Sequence, residues 1–527
     1  MVAAAAAAPP EPARSIEVGA NGEFRLNGRP FLPITGWLQG PANLPKLADA
    51  GMNAIAGYHR GADGRGALGT ADAYGKAAGD AGLYFFCGYD RRFPEEMERV
   101  RALGNVLGWM QHDEPDLPSR TNDVRVAVKS KLAINPSRPL MYLADGDPKT
   151  SAVFAPMAGA EVEFVYPKAV TVTRVALGNG PDGAKAKELS LSVDGKEVLR
   201  ATLPADTAMH PFPLATPATF QSLALKILSV HEGAKVAWGT FTGVDGFDES
   251  GANVLGSPSR LVPQQSPAQT REDWKALKAL DPRRPVLLTF CSMFFSEFHN
   301  TSWWTTPQAR ELYPQYVGCA DAYGIDIYPI YGWNQPRKIG QVARAAAELR
   351  ALVGPGKPLY QWIETLEGGF GDKAHPVTGR EIRNEVYQAL ASGCTAIGYF
   401  THRFKPTFAE FGVSAENAAA LRTLNAEITA LGPALLGPDA PAQPTLEIAG
   451  GLASVCHAKS DGKTVTVIAV NMDGENRGGE GTFRLPGLKA GTPVAVCGEN
   501  RALTAGDGQW QDAFGSLAAH VYQFPQP

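Results

Sequence analysis

The chain has 527 residues, too many for one ordinary core, so two or three domains are expected. Its 44% hydrophobic and 19% charged content is that of a folded globular protein, and a net charge of −4 with no run of Lys and Arg argues against nucleic acid or an anionic membrane as a partner. No apolar stretch approaches the ~18 residues of a membrane span, and six cysteines in this length do not make a disulfide framework.

Residues 1–15 (MVAAAAAAPPEPARS) are low-complexity Ala and Pro that cannot form a core, and read as a disordered leader remnant; a secreted or periplasmic location is the expectation drawn from them. Residues 16–31 carry Asn21-Gly22 and Asn27-Gly28 turn signals between short alternating segments, which predicts a hairpin lidding one end of the domain C-terminal to it. FLPITGW (31–37), MNAIAGY (52–58), LYFFCGYD (83–90) and VLGWMQHDE (106–114) then read as strands separated by helix-compatible spacers. The rhythm stops there. From 121 to 250 the pattern is β throughout, with VEFVYP, VTVTRVAL, LSLSVDGKEV and LALKIL alternating at period two and Asp194-Gly195 making a hairpin turn.

Strand and helix alternate again from 251. A helix around 271–280 precedes RPVLLTF (284–290), and ADAYGIDIYP (320–329) precedes a helix with Ile339, Val342, Ala346, Leu349 and Leu352 on one face. KPLYQWIET (357–365), a helix aligning Ile382, Val386 and Leu390, CTAIGYF (394–400) and a helix opened by Ser414 complete eight units. With the insert removed, roughly 270 residues remain, close to the ~250 of a (β/α)8 TIM barrel. The fold class is therefore α/β: a TIM barrel over 16–120 and 251–436, an inserted β-sandwich over 121–250, and, past the linker GPDAPAQP, a second β-sandwich within 437–527.

In a parallel barrel the C-terminal strand ends carry the chemistry. Glu114 ends the fourth predicted strand and Glu364 the seventh, although a Glu beside a Pro is more often a solvated loop carboxylate. Two such carboxylates are the minimum kit for cleaving a glycosidic bond, one protonating the leaving oxygen and the other attacking or stabilising the anomeric carbon. Sugar rings stack on aromatic faces, and Trp37, Tyr58, Tyr89 and Tyr328 end strands while Trp303, Trp304 and Trp333 lie in loops; Asp90, Arg91 and His402 are candidate hydroxyl partners. Trp109 and Trp362 lie inside strands and read as core. Glu367 is a rival to Glu364 three residues on, Asp326 either orients a sugar or caps a barrel layer, and His112 either bonds near the acid or packs.

These residues, with LNGRPFLPITG (26–36), HDEP (112–115), GIDIYP (324–329), WIE (362–364) and EIRNEVYQALASGCTAIGYF (381–400), make the barrel resemble the clan A retaining glycoside hydrolases. The resemblance implies a retaining hydrolase of O-glycosidic bonds in an oligo- or polysaccharide, acting by double displacement with Glu114 as acid/base and Glu364 as nucleophile. Where that family has an Asn before the acid/base Glu, this chain has Asp113, which accepts but does not donate to a sugar 2-hydroxyl while ionised. The competing readings are a non-catalytic carbohydrate-binding protein on a degenerate barrel and a transglycosidase using the same carboxylates. The insert resembles a discoidin-like (coagulation factor C-type) jelly roll in its Asp145-Gly146-Asp147 loop, its VEFVYPKAVTVTRVAL pair and its late Trp238-Gly239. Carbohydrate is the expected partner, with no cofactor. No CxxC or His cluster suggests zinc; an ordinary turn is the preferred reading of the Asp145 loop, with a structural calcium as its alternative, and Cys456 and Cys497 are a candidate pair in an oxidising compartment.

Overall fold

Eight short, almost wholly buried strands pair in parallel and close on themselves in chain order: Ile34–Trp37, Ala54–Ala56, Tyr84–Gly88, Val106–Met110, Val286–Phe290, Ala322–Asp326, Leu359–Glu364 and Ala396–Phe400. Apolar runs such as VLGWM and VLLTF suit this arrangement, because each strand faces the barrel interior on one side and helices on the other. The structure is a computed structural model and describes residues 8–58, 69–135, 137–366 and 375–527. Each strand is followed by a helix: α1 (Leu44–Asp49), α2 (Ala71–Asp80), α3 (Pro94–Arg101), α4 (Pro267–Leu280), α5 (Thr306–Tyr316), α6 (Gln341–Val353), α7 (Gly379–Ala391) and α8 (Ala415–Leu435).

Small and large side chains together fill the barrel, with Ala54, Ala56, Ala322 and Ala396 in one cluster with Tyr84, Phe86, Tyr360 and Trp362. Ile16, Phe24 and Leu26 of the N-terminal three-stranded sheet join this cluster, so the predicted hairpin does close one barrel end. Two predicted boundaries shift in ways that bear on the site. The fourth strand stops at Met110, which places Glu114 four residues beyond it in a turn. Helix α4 starts at Pro267 rather than near 271, because Ser266 caps it by accepting from the Gln269 N–H and proline fits the first helical turn.

The chain divides into one unit up to residue 117 together with 263–527, and a second spanning 118–262. The second unit is a seven-stranded antiparallel sheet whose long members, Glu161–Gly183 and His210–Ile227, change register at Val165/Val170 and Val172/Arg174. Its core includes Phe154, Val162, Phe164, Leu191, Leu225 and Phe241. Asp194 and Gly195, both at positive φ, make the predicted turn. Within the first unit, residues 445–525 form two antiparallel sheets over a core in which Phe483 stacks on Trp510 at 4.3 Å. Helix α7 docks there through Asn384, which donates to the carbonyls of Asn471 and Leu517.

One sequence expectation ends differently. Cys456 and Cys497 are free thiols, Cys456 donating to the Pro444 carbonyl. The Asp145 carboxylate accepts the Asp147 N–H and the Thr150 hydroxyl, an Asx-type turn of the kind preferred from the sequence.

Candidate active site

The segment from Gln111 to Leu117 is fixed at both ends. Gln111 is buried and donates to the carbonyls of Thr270 and Cys319, and Asp116 is fully buried against the Cys291 N–H (3.0 Å), the Cys291 thiol (3.2 Å) and the Tyr313 hydroxyl (3.0 Å). The Pro115 carbonyl accepts from the Gln265 N–H, and the Leu117 N–H closes a turn onto the Glu114 carbonyl. Between these anchors Glu114 takes a left-handed φ of 47°, a conformation that costs a non-glycine residue of order 1 kcal/mol and is concentrated at functional sites. The turn holds Asp113 and Glu114 toward the barrel mouth.

There Glu114 meets a carboxylate from another strand. Asp326, the last residue of the sixth strand, sets its carboxyl against that of Glu114, and the Tyr328 hydroxyl donates to Asp326 at 2.9 Å. Asp113 lies beside them, accessible to water yet deep among protein atoms. Burial raises Glu114 and Asp326 above the ordinary carboxylate range, and the neighbouring negative charges raise Asp326 further. Burial likewise lowers His112, whose ring nitrogen lies 2.6 Å from the Gln264 side chain.

Two cavities meet at this cluster and share Trp37 and Asp113. The smaller, about 250 Å3, is lined by Glu114, Asp326, Tyr328, Trp362, Phe400 and Phe404 among others. The larger, about 590 Å3, is lined by Tyr58, Tyr89, Asp90, Arg91, His112 and Asp273 among others. The structure therefore brings Trp37, Tyr58, Tyr89, Asp90, Asp113, Glu114 and Tyr328 to one mouth. Trp362, expected in the core, is 3% exposed but also floors the smaller cavity, edge-on to Trp37 at 5.1 Å. Trp109 is core, its indole N–H donating to Asp281.

Four expected sugar contacts lie elsewhere. Trp304 is buried, 3% exposed; Trp333 packs edge-on against Phe298 at 4.9 Å; Trp303 is 39% exposed but lines neither cavity. His402 is buried, 2.6 Å from the Leu38 carbonyl, because the loop after the eighth strand folds over it. Gln265, Gln269 and Asp273 line the larger cavity and were missed, since the sequence reading began α4 too late; the Ser266-Pro267 cap is the signal that finds them.

Glu364 ends the seventh strand as predicted, fully buried, and lines neither cavity. One oxygen accepts the Ile330 N–H at 2.6 Å, and the other accepts those of Tyr331 and Gly332. Its side chain also meets buried Glu385 of α7. Glu367 lies outside the described residues. Among the described residues no group of three or more His, Cys, Asp or Glu is arranged to hold a metal ion, and no helix is long and apolar enough to cross a membrane.

No family model matches the sequence, and neither does any curated protein. Among solved structures, the family 32 carbohydrate-binding module of Clostridium perfringens NanJ, described in complex with galactose, shares 9% identity over 24% of this chain and 97% of its own, at a TM-score of 0.20. The corresponding module of Streptococcus pneumoniae EndoD shares 14% over 25% and 99%, at 0.21. That of AlyQ, in complex with 4,5-unsaturated mannuronic acid, shares 18% over 24% and 95%, at 0.19. Likeness at these TM-scores says nothing about what this chain binds.

Proposed function

We propose that the chain is a glycoside hydrolase on a (β/α)8 barrel and that its reacting groups are the carboxyls of Glu114 and Asp326, with Asp113 beside them. The observation that carries this reading is the pair of neighbouring carboxyls, Glu114 and Asp326, in the wall of one aromatic-lined cavity at the C-terminal ends of parallel strands. A pair holding one proton between two desolvated carboxyls supplies both halves of the chemistry. The protonated member donates to the leaving oxygen, and the remaining negative charge stabilises the oxocarbenium-like centre as the bond breaks. Water adds to the anomeric carbon and its proton returns to the pair. Trp37, Tyr328 and Phe400 offer faces for the sugar ring, and Asp113 accepts from a ring hydroxyl. We also propose that the insert is a carbohydrate-binding module, on the strength of its sequence resemblance to discoidin-like domains, and that the chain works outside the cytoplasm.

A panel of nitrophenyl glycosides tests the reading. Glu114→Gln and Asp326→Asn are each expected to lower kcat by about 100-fold or more on whichever glycoside is turned over, and NMR of the first product gives the stereochemistry. One observation favours the alternative of carbohydrate binding without turnover: Glu364, which the family resemblance makes the nucleophile, is bound by three main-chain N–H groups. Oligosaccharide affinity without turnover, unaltered in Glu114→Gln, would establish that alternative.

A further inference from the structure

Alternation along the seventh strand puts Glu364 in phase with Tyr360 and Trp362, whose side chains fill the barrel. The loop after the sixth strand intercepts it. A carboxylate accepting the N–H groups of Ile330, Tyr331 and Gly332 has its lone pairs directed at main chain, whereas an attacking carboxylate must present one to the anomeric carbon. Beside it stands Glu385, also fully buried, whose two oxygens meet no N–H or O–H donor among the described residues. Two bare anions in contact would repel strongly, and a proton held between the two carboxyls relieves that repulsion.

The loop so held is the wall of the smaller cavity. Tyr328, Tyr331 and Gly332 line it, and the Tyr331 hydroxyl accepts the Phe404 N–H at 2.8 Å, tying it to the loop after the eighth strand. At Gly332 an added Cβ would come within 2.7 Å of the Tyr328 Cβ and 2.9 Å of its carbonyl oxygen, so the two stretches of main chain are packed without slack. Tyr328 in turn donates to Asp326. A continuous chain of contacts thus runs from Glu385 through Glu364 and the loop to the carboxyl proposed to react.

We propose that Glu364 is a positioning residue rather than the nucleophile: it shares a proton with Glu385, clamps the main chain at residues 330–332, and thereby sets Tyr328 and Asp326 against Glu114. The kinetic arm of this inference rests on the hydrolase reading; the clamp does not.

Amide hydrogen exchange of residues 330–332 tests the clamp in the full chain, and steady-state kinetics test the role. Glu364→Ala should expose these amides, speeding their exchange about 100-fold, whereas Glu364→Gln, which keeps one acceptor oxygen, should speed it about tenfold. Glu385→Gln supplies the donated hydrogen permanently, tolerates the site better than a truncation, and should hold exchange within about threefold of wild type. In kinetics Glu364→Gln should raise KM and lower kcat by no more than about tenfold. Unchanged exchange in Glu364→Ala overturns the clamp, and lost protection in Glu385→Gln overturns the shared proton. A fall in kcat of about 1,000-fold in Glu364→Gln at unchanged KM, with azide restoring turnover to Glu364→Ala as a glycosyl azide, overturns the positioning role. If wild type turns over no glycoside, the hydrolase reading fails and the exchange results still decide the clamp.

Discussion

Asp116→Asn is expected to stabilise the barrel at pH 8 and to leave it near wild type at pH 4.5. Asp116 is fully buried, and although a backbone N–H, a thiol and a hydroxyl point at it, loss of hydration outweighs them and pushes its carboxyl up to about 7. In the unfolded chain an aspartate titrates near ~3.9. Between those values the folded protein keeps a proton that the unfolded chain has released. The stability this group contributes is therefore fully present below ~3.9 and is lost as pH rises through about 7. A difference of about three units at ~1.36 kcal/mol each sets an upper bound of about 4 kcal/mol at pH 8. Asparagine keeps an acceptor for the Cys291 N–H and offers its own N–H to the Tyr313 oxygen, so the anchor of the Glu114 turn survives without the charge. Urea unfolding followed by tryptophan fluorescence at pH 4.5, 6 and 8 should show the variant gaining on wild type as pH rises. An equal loss of stability at all three values would show that Asp116 is an anion satisfied by its three donors, and the desolvation argument would fail.

Asp113→Asn removes a negative neighbour that helps to raise Asp326. The alkaline limb of kcat/KM should move to lower pH, and an upward move would refute the charge argument. Trp37→Ala strips the wall common to both cavities, and calorimetric affinity for an oligosaccharide substrate should weaken about tenfold; unchanged affinity would mean that sugar does not pass this ring. Gly57 has a φ of +84°, and an added Cβ would sit 2.9 Å from the Trp37 ring, so Gly57→Ala should cost about 1–3 kcal/mol in thermal unfolding and impair binding with it.

Chain polarity and periodicity made much of the molecule legible before any coordinates. Eight apolar runs separated by amphipathic spacers specify parallel strands joined by helices, and in a parallel barrel every strand-to-helix loop opens at the same end, so Asp113 and Glu114 had to lie at the mouth wherever the fourth strand stopped. The same logic carried Trp37, Tyr58, Tyr89, Asp90 and Tyr328 to that mouth. Turn chemistry was equally local: Asn27-Gly28 and Asp194-Gly195 adopt positive φ because those residues tolerate it at least cost.

Long-range packing decided the rest. That Asp326 meets Glu114 depends on how far each of two strands, distant in sequence, extends before its loop turns. Alternation in the seventh strand directs Glu364 inward, but three N–H groups from the loop after the sixth strand, some thirty residues earlier, capture its oxygens, and a helix residue twenty-one positions later meets it. Trp304 and His402 look like exposed loop residues in sequence and are buried because loops fold back over them. A strand pattern states which face a side chain leaves from; the loops packed around it determine whether that side chain meets a substrate or a neighbouring main chain.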